Sequence, residues 1–452
     1  MQSRITSLLL GLTLVAFTSC RKPEVNPVDP SLSKFHPTPA PKPTGLLLKP
    51  GDRLAICGDS ITEQKMYSRI MEDYLTMCVP ELGVTVRQYG WSGERAPGFL
   101  ARMTNDCLRF QPTIATTCYG MNDHEYRPYE ERIGTTYREK STAIVGAFKA
   151  HGARVIQGSP GCVGKMPGWV KSAQGTVEDL NLNLCNLRNF GLEIARQEQV
   201  GFADVFWPML KAGVEGQRRY GTNFFIAGMD GVHPDWAGQT VMAYAFLKAL
   251  GVDGKIGTFT VDLKRNTLTA SGGHELISSA PATFTIRSSR YPFSTCLDQV
   301  LVETKSTRAF PSCDDTPGKE TGSIRAVLPL IPFNQELNRF TLVAKNGTAA
   351  NYRVTWGAAS KSFTAKQLAR GVNLAAEFAQ TPFSESFARV DAAVAAKQAY
   401  ETKQIKQVFH GNEGKADMEG AVKRTEAERA PLAAAIRTAF QPVTHTIQIR
   451  AE

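Results

Sequence analysis

RLAICGDSIT, residues 53–62, is the stretch that decides the fold of the first half of the chain. Arg53 to Cys57 is a short, largely apolar run, which is typical of a buried strand, and Gly58 ends it. The segment from Tyr67 to Val79 follows, with apolar residues at helical spacing. A strand, a turn and a helix in this order predict the first unit of an α/β fold.

Strand-like and helical segments continue to alternate from Leu46 to about Gly257. The further predicted strands are Val84 to Tyr89, Thr113 to Cys118, Arg154 to Gln157 and Phe202 to Phe206. The further predicted helices are about Thr135 to Ala150, Glu178 to Gln199 and Thr240 to Leu250. Because such repetition requires crossover connections, we expect a mostly parallel sheet covered by helices on both faces. Ligands of such sheets bind at the carboxyl ends of the strands.

The pattern changes after Gly257, and a chain of 452 residues is longer than one ordinary core requires. Alternating segments such as Phe284 to Arg287 and Phe340 to Ala344 predict an antiparallel β unit. A helical segment follows at about 366–440, and Val443 to Arg450 is a last strand that we expect to pair back into this unit. We therefore divide the chain into a domain at 46–257 and a β-rich accessory unit at 258–452, whose helical segment is a candidate to fold over a cleft.

The first twenty residues have the pattern of a secretory signal. Arg4 precedes an apolar run from Leu8 to Val15 that is too short to span a bilayer as a helix. The small residues before Cys20 resemble a bacterial lipoprotein signal, in which the cysteine is lipidated, and an ordinary signal with a chance cysteine is the alternative. Residues 21–45 are rich in proline and predict a semi-extended tether. We expect the chain to lie in the bacterial cell envelope, held to a membrane by a lipid on Cys20.

Charge and cysteine usage narrow the classes of partner. The formal net charge of +10 favours an acidic polysaccharide or an anionic surface, unless it only reflects plentiful surface lysine and arginine. Since no basic run has interleaved aromatic residues, we expect no nucleic-acid partner. Cys296 and Cys313 share a polar, loop-rich stretch, and we predict a disulfide between them. No C-x-x-C pair suggests a zinc ribbon or a redox site.

Two motifs carry groups suited to nucleophilic catalysis. Ser60 stands on the turn between the first strand and its helix, where a hydroxyl is exposed at the sheet edge. Asp230 precedes His233 by three residues, so its carboxylate can accept the proton of Nδ1 and leave Nε2 free as a base. Each motif alone has an ordinary alternative, a helix cap for the serine and a structural histidine for the second.

Two further loops carry candidate hydrogen-bond donors for an oxyanion. Gly90-Trp91-Ser92-Gly93-Glu94 follows the second strand, and a glycine there lets the backbone N–H approach a ligand closely. Gly90 and Gly93 can both fill this role, and we favour Gly93. Asn122, in Gly120-Met121-Asn122-Asp123 after the third strand, can donate from its side-chain amide. The alternatives are a plain turn glycine and a loop-capping asparagine.

Taken together, the four blocks resemble the SGNH hydrolase (GDSL-like lipase and esterase) family, which is named for serine, glycine, asparagine and histidine. Here these residues are Ser60, Gly93, Asn122 and His233, and Asp230 matches the acidic residue of the family's D-x-x-H block. The resemblance covers Leu46 to about Gly257. It implies a three-layer α/β/α, flavodoxin-like domain and ester hydrolysis, with no metal and no cofactor.

The resemblance also implies a mechanism. His233 takes the proton of the attacking Ser60 hydroxyl, Asp230 orients the imidazole, and Ser60, Gly93 and Asn122 form the oxyanion hole. Asp59 and Asp123 are expected to shape their loops. Trp91, Tyr119, His124 and Arg127 adjoin the blocks, and lining the pocket and packing the loops are both open for them, as for a wall at Gly158 to Gly161.

The substrate is the least determined part. A signal, a tether and an extra β unit favour an acylated polysaccharide, and we expect a carbohydrate O-acetylesterase. An acylated small molecule is the alternative substrate. The alternative functions are a lipid hydrolase of the lysophospholipase or thioesterase type and a glycan-binding lipoprotein that does not use its SGNH scaffold. A two-metal phosphoesterase is disfavoured because only His124 and His233 adjoin the motif loops. The sequence does not fix the oligomeric state.

Overall fold

The computed structural model describes residues 29–297, 309–310 and 322–452. Residues 29–36 belong to a small unit of their own, which contains a 3-10 helix at Pro30–Leu32. Residues from Pro37 onward form one compact unit. The predicted signal and Cys20 lie outside the described residues. The last part of the predicted tether contacts a helix of the compact unit, because the Thr38 carbonyl accepts a hydrogen bond of 2.6 Å from Arg188 Nη1.

Five parallel strands form the first sheet, in the order β2-β1-β3-β4-β5. Their bounds are β1 Arg53–Gly58, β2 Thr85–Gln88, β3 Ile114–Cys118, β4 Arg154–Gly158 and β5 Gly201–Ala203. β1, β3 and β4 are almost wholly buried, as expected for strands covered on both faces. The predicted α/β class with a parallel sheet is confirmed.

Seven helices connect and cover these strands. They are α1 Ser60–Glu63, α2 Tyr67–Met77, α3 Ala96–Asp106, α4 Glu131–Ala150, α5 Val177–Gln197, α6 Phe206–Tyr220 and α7 Trp236–Ala249. The sequence pattern did not indicate α3 and α6. Both contain glycine, and both carry a proline near the start, at Pro97 and Pro208, where its missing N–H costs the helix nothing.

The sheet separates two helical layers. On one face, Phe99 of α3, Phe148 of α4 and Leu187 of α5 form a buried cluster with Ala55 and Val155 of the strands. On the other face, the rings of Tyr67 in α2 and Phe246 in α7 stack with their centroids 5.6 Å apart. The three-layer α/β/α arrangement is therefore present.

Two further sheets follow. Their strands are β6 Lys255–Asp262, β7 Thr267–Ala270, β8 His274–Ala280, β9 Thr283–Ser288, β10 Arg339–Lys345, β11 Asn351–Trp356, β12 Ala359–Thr364, β13 Val372–Asn373 and β14 Val443–Ala451. Their orders are β13-β10-β6-β7 and β12-β11-β14-β9-β8. The last strand pairs with β9 and β11, as predicted. The expected antiparallel pairing is wrong at one place, since β10 runs parallel to β6; the long intervening chain allows the crossover that such a pair requires.

The remaining helices are α8 Ile324–Val327, α9 Phe333–Glu336, α10 Ala365–Arg370, α11 Leu374–Glu377, α12 Ser384–Lys403, α13 Asn412–Ala416 and α14 Met418–Ala439. A turn of π-helix at Gln404–Phe409 follows α12. α12 packs against α2 and β2, where Ser68 Oγ donates to Gln398 Oε1 over 2.8 Å. Ile405 and Phe409 join the buried cluster under α3 and α4. The helical segment thus covers the β2 edge of the first sheet.

Six of the cysteines that the structure describes are buried and form no disulfide, and four of them were predicted as core residues. They are Cys57, Cys78, Cys107, Cys118, Cys162 and Cys185. Cys296 is disulfide-bonded, and its predicted partner Cys313 lies outside the described residues. In the part of the chain that the structure describes, no helix has the length and apolar character needed to cross a membrane.

Candidate active site

Ser60 follows the carboxyl end of β1 and is the first residue of α1. The chain turns sharply here, and a Cβ on Gly58 would lie 2.1 Å from Thr62 Oγ1, so only glycine fits. Asp59 caps the short helix, because its Oδ1 accepts a hydrogen bond of 2.9 Å from Ile61 N. The hydroxyl of Ser60 is half-buried and faces the loop that carries the histidine.

His233 lies within hydrogen-bonding distance of Ser60 although 173 residues separate the two in sequence. Ser60 Oγ is 2.8 Å from His233 Nε2, and His233 Nδ1 is 2.6 Å from Asp230 Oδ2. The three side chains therefore form one continuous hydrogen-bonded chain. This is the arrangement in which a carboxylate fixes the tautomer of an imidazole and the imidazole polarises a hydroxyl.

The loop of Asp230 is built around its own carboxylate. Asp230 Oδ1 accepts hydrogen bonds from the backbone N–H groups of Val232 and His233, at 2.9 and 2.8 Å. Burial alone raises the pKa of Asp230, but these two bonds and the contact with the His233 ring hold it below its usual value. Asp230 is therefore ionised at neutral pH, as an orienting group must be.

A close approach fixes the other side of this loop. Gly228 has a φ of +81°, and a Cβ there would lie 1.8 Å from the carbonyl oxygen of His233. No other residue fits at this position without moving the histidine backbone.

The structure separates the two glycine candidates. The N–H of Gly90 donates to Gln88 Oε1 over 3.0 Å, and a Cβ there would lie 2.1 Å from Glu63 N, so Gly90 serves the packing of α1 against its neighbour strand. Gly93 has a φ of +75°, and a Cβ there would meet nothing within 4 Å, so it faces open space. This favours Gly93 as the residue with an N–H available to a ligand.

Asn122 has an oriented side chain. Tyr126 donates its hydroxyl proton to Asn122 Oδ1 over 3.0 Å, which fixes the amide so that Nδ2 is the donor. One proton of Nδ2 goes to the Glu94 carbonyl oxygen over 3.1 Å, a residue next to Gly93. Because an amide nitrogen carries two protons, the second remains for an oxyanion.

The two aspartates beside the blocks are structural, as expected. Asp123 accepts from Ala96 N and Gly120 N, both at 2.9 Å, and so joins the start of α3 to the asparagine loop. Burial raises the pKa of Asp123 to about 6 and that of Asp59, together with the nearby Asp123 and Glu94, to about 7. Both carboxyl groups lie behind the site and do not contact Ser60 or His233.

Four of the residues whose role was left open are held by contacts of their own. Tyr119 is buried and donates to Glu94 Oε2 over 2.9 Å, and Ser159 of the proposed wall caps α6 by accepting from Val205 N and Phe206 N. His124 is buried with its Nδ1 against the Met121 carbonyl oxygen, and burial lowers its pKa to about 4. Arg127 is half-buried and pairs with Glu130 at 3.3 Å. None of these four groups faces Ser60.

Trp91 connects the glycine loop to the C-terminal helices. Its ring meets that of His410 edge-on at 4.9 Å, and Lys406 Nζ lies 5.2 Å above it. Lys406 Nζ also donates to both carboxylate oxygens of Glu63, at 2.7 and 2.9 Å, while Glu63 Oε2 accepts from Ser92 Oγ over 2.7 Å. Burial raises the pKa of Glu63, but the hydrogen bonds from Lys406 and Ser92 lower it below its usual value. The loop before Gly93 is thus held in place by Lys406, which belongs to the turn of π-helix at Gln404–Phe409.

The sequence analysis did not identify two aromatic residues that lie near the site, Trp169 and Tyr126. The ring of Trp169 lies 5.7 Å from that of His233, and Tyr126 lies 5.7 Å from Trp169 on another side. The only sequence feature that could have indicated Tyr126 is its position close to the asparagine block. Glu125 and Tyr126 both have a φ of +55°, a conformation that costs non-glycine residues about 1–3 kcal/mol each and is stored mainly at functional sites. No sequence pattern around Trp169 indicates that it lies beside His233, which is far along the chain.

Metal ligation is not part of the arrangement. Within residues 29–297, 309–310 and 322–452, no group of three or more His, Cys, Asp or Glu side chains is placed to hold a metal ion.

The first half of the chain is similar to proteins of one known family. Residues 56–241 match the family model described as the GDSL-like lipase/acylhydrolase family, and the match includes Ser60, Gly93, Asn122, Asp230 and His233. The search of curated proteins gave no match.

One solved structure shows the same fold, and a second is a more distant match. BT4096, described as a gut microbial diltiazem-metabolizing enzyme, is 21% identical with a TM-score of 0.67 over 92% of this chain and 100% of its own. Axe2, an acetylxylan esterase from Geobacillus stearothermophilus, is 20% identical with a TM-score of 0.38, over 46% of this chain and 97% of its own. The first likeness extends well beyond residue 257, so the accessory unit shares in the common fold. Residues 56–241 are therefore a GDSL-like, or SGNH, hydrolase domain, and the chain is a hydrolase of ester bonds.

Proposed function

We propose that the chain is a carbohydrate O-acetylesterase that works through a Ser60-His233-Asp230 triad. The observation that carries the triad is the pair of hydrogen bonds, 2.8 Å from Ser60 Oγ to His233 Nε2 and 2.6 Å from His233 Nδ1 to Asp230 Oδ2. His233 takes the hydroxyl proton as Ser60 Oγ attacks the ester carbonyl carbon. Asp230 keeps Nδ1 protonated and stabilises the imidazolium that forms.

The oxyanion of the tetrahedral intermediate needs donors on the opposite side. Ser60 N–H, Gly93 N–H and Asn122 Nδ2 are the candidates, and a loss of one such donor typically costs about 100- to 1000-fold in turnover. Collapse of the intermediate breaks the ester C–O bond, and the alcohol leaves with the proton from His233. Water then attacks the acyl-enzyme, gives a proton to His233 and releases the acid, and the Ser60 oxygen regains its proton.

A small acyl group is supported by what surrounds the site. A cavity of about 660 Å³ lies behind β2, lined by apolar residues such as Leu75 and Phe110 and by charged residues such as Glu72, Lys397 and Arg429, and neither Ser60 nor His233 lines it. Beside the triad stand the exposed side chains of Trp169 and Met229. An open, aromatic-flanked site suits a bulky polar alcohol better than a long acyl chain, which requires an enclosed apolar groove.

The alternatives are distinguished by one panel of substrates. The purified protein is given p-nitrophenyl esters of acetate and of longer acids, acetylated xylan and lysophospholipid. The proposal expects turnover of acetate esters and acetylated glycan, and a steep fall with acyl length. Preference for long acyl chains would instead establish the lipid hydrolase, and glycan binding with no turnover above buffer would establish the non-catalytic glycan-binding protein.

Two variants test the triad itself. Ser60→Ala and His233→Ala are each expected to abolish ester hydrolysis while the protein stays folded, because Ser60 is the first residue of α1, His233 lies on a loop, and both are only half-buried. Ser278→Ala and His151→Ala are matched controls, since both residues are exposed and belong to other parts of the fold. Near-normal turnover in either triad variant contradicts the assignment.

We also propose that the chain is exported and held to the bacterial cell envelope by a lipid on Cys20. The support is the signal-like sequence before Cys20 and the proline-rich residues after it. Labelling with a radioactive fatty acid, followed by membrane fractionation, is expected to mark the wild type and not Cys20→Ala. A soluble, unlabelled wild-type protein would contradict the lipid anchor and leave the esterase assignment untouched.

A further inference from the structure

Trp169 is an exposed aromatic residue at the rim of the triad. Its side chain is 53% exposed, although tryptophan is ordinarily well covered in a folded protein. Its ring is tilted by 33° from that of His233, at a centroid distance of 5.7 Å. Met229, which precedes Asp230 in the chain, is 65% exposed. An exposed apolar patch beside reacting groups indicates a surface that a ligand covers.

The loop that carries Trp169 is fastened to the rest of the site. At its start, Val163 exchanges two hydrogen bonds with the Asn181 side chain, at 2.8 and 2.9 Å. Gly164 N donates to the Gly231 carbonyl oxygen over 2.9 Å, which joins the loop to the turn between Asp230 and His233. At its end, Gln174 N donates to the Tyr126 carbonyl oxygen over 2.9 Å. The loop is therefore tied both to the histidine turn and to the residue that orients Asn122.

Tyr126 supports the indole from a second side. Its ring meets Trp169 edge-on, at 5.7 Å and 72°, while its hydroxyl donates to Asn122. An edge-to-face contact of this kind is a favoured geometry for two aromatic rings. With His233 and Tyr126 against it, the Trp169 ring has a fixed orientation and still presents more than half of its surface to solvent.

The position of Trp169 decides which part of a substrate it contacts. In the proposed mechanism the acyl oxygen lies at Gly93 and Asn122, and the leaving alcohol oxygen must lie at His233, which gives it a proton. Trp169 packs against His233, so it stands on the alcohol side. The C–H face of a pyranose ring is apolar and slightly positive, and the face of an indole is negative, so the two stack favourably.

We propose that Trp169, supported by Tyr126, forms a sugar-binding subsite that stacks on the pyranose ring bearing the scissile acyl group. The proposal rests on the carbohydrate esterase function and extends it to the alcohol part of the substrate. Trp169 is a specificity residue here, and it takes no part in proton transfer.

The test compares two acetate esters that differ in the alcohol. Acetic acid release from β-D-xylopyranose tetraacetate and from ethyl acetate is followed in a pH-stat. Trp169→Ala is expected to raise KM for the sugar ester about tenfold, the size of one lost aromatic contact. Its kcat/KM for ethyl acetate should stay within about twofold of wild type, since ethanol is too small to stack. Trp169→Phe should lie between the two.

Controls separate stacking from a general disturbance. Ile277→Ala removes an equally exposed apolar side chain, 51% exposed, from β8 in the accessory unit, and should change neither substrate. An equal fall for both esters in Trp169→Ala would show that the indole acts only by packing on His233, and an unchanged KM for the sugar would exclude the subsite. Both results overturn the proposal.

A binding measurement removes turnover from the test. Calorimetric titration of Ser60→Ala with acetylated xylo-oligosaccharide should show binding that is at least tenfold weaker in Ser60→Ala/Trp169→Ala. If the wild type cleaves ethyl acetate but no sugar ester, the carbohydrate function itself fails and the subsite with it. If it cleaves sugar esters and the tryptophan variants bind them normally, only the subsite is wrong.

Discussion

The two edges of the five-stranded sheet are covered by chain from very different places. At the β5 edge, the strand contacts α5 and α7, which both lie between residues 177 and 249. At the β2 edge the cover comes from α12 and α14, and the residues in contact are more than 300 positions apart. Arg87 Nη1 donates to Gln404 Oε1 over 3.2 Å, and Gln88 N donates to Glu401 Oε2 over 3.2 Å.

The residues of the proposed active site are distributed along the chain differently from the residues that pack the sheet edges. Every group of the proposed triad and oxyanion hole lies between residues 60 and 233, in the first half. The second half supplies the helices that close the sheet and, through Lys406, a contact to the loop before Gly93. The accessory unit is therefore an internal support of the hydrolase domain. Substitutions in each half, and at the contacts between the halves, separate these two roles.

The largest effect is expected in the first half, for Asp230→Asn. The asparagine oxygen can still accept from Val232 N and His233 N, so the loop keeps its shape. Its amide nitrogen would face His233 Nδ1 and favour the tautomer with the proton on Nε2, which cannot act as a base. We expect kcat to fall by about 10²- to 10⁴-fold with little change in unfolding free energy, measured by steady-state kinetics and urea denaturation.

Asp262→Asn is the matched control in the other half. Asp262 Oδ1 accepts from Lys264 N and Arg265 N, at 3.0 and 2.9 Å, so it caps the same kind of turn without a histidine. Its kcat should equal that of the wild type. If Asp230→Asn loses less than tenfold while Ser60→Ala is inactive, then His233 works without an orienting carboxylate.

The next largest effect is expected at the interface between the halves, for Lys397→Met. Lys397 is 1% exposed, and its Nζ lies 2.8 Å from Glu72 of α2 and 3.2 Å from Glu401. It also donates to the Val86 carbonyl oxygen on the β2 edge over 2.5 Å. Loss of one partner from a buried ion pair costs about 3–5 kcal/mol, because it leaves an uncompensated charge. Urea denaturation followed by circular dichroism should show a destabilisation of this size.

The control makes the same change at an exposed pair in the accessory unit. Lys361 Nζ lies 3.2 Å from Glu377, with the two side chains 48% and 41% exposed, and Lys361→Met should cost at most about 1 kcal/mol. A second, earlier transition in Lys397→Met, with esterase activity intact after it, would show that the halves fold independently.

The sequence predicted the first half better than the second, for a physical reason. Three of the four blocks follow a strand, where strand, glycine and polar residue are neighbours in the chain, and the Asp230 block leads into α7. Local reasoning could therefore propose Ser60, Asn122 and His233 as candidates. The sequence already favoured Gly93 over Gly90, but the reason that sets Gly90 aside, its bond to Gln88 and its contact with α1, is visible only in the structure.

The contacts that sequence could not predict join distant residues with no shared pattern. Lys406 and Glu63 are 343 positions apart, and neither position distinguishes itself from any surface charge. Trp169 lies on a loop without periodicity. The parallel pairing of β6 with β10 depends on the path of the intervening chain, which an alternating pattern does not encode.

Acid is expected to destabilise the second half through a buried histidine pair. Trp356 Nε1 donates to His445 Nδ1 over 3.2 Å, and Ser288 Oγ lies between His445 Nε2 and His274 Nδ1, at 2.9 and 2.8 Å. Burial and the nearby His274 lower the pKa of His445 to about 3, against about 6.5 in the unfolded chain. Between these two pKa values the unfolded state therefore binds a proton that the folded state does not bind. The contribution of His445 to the unfolding free energy is complete above pH 6.5 and is lost as the pH falls towards 3.

Between pH 6.5 and 5, His445 alone contributes a loss of about 1.4 kcal/mol per pH unit. His445→Gln should lower the slope of unfolding free energy against pH by one proton, while its difference from wild type stays constant above pH 7.5. Since residues 37–452 are one compact unit, activity and circular dichroism should be lost together. An unchanged slope in the variant would mean that His445 is protonated in the folded protein.

The smallest effect, and the one that joins the halves, is expected for Lys406→Met. Glu63 holds the Ser92 side chain and is itself held by Lys406, so removal of the ammonium group loosens the loop that presents Gly93 without touching Ser60 or His233. Because a displaced oxyanion donor weakens the transition state more than the ground state, kcat should fall about three- to tenfold and KM should stay within about twofold. Lys423→Met on exposed α14 is the control and should change neither constant. A rise in KM at constant kcat would place Lys406 in substrate binding, and wild-type kinetics would show that the π-turn supports only the fold.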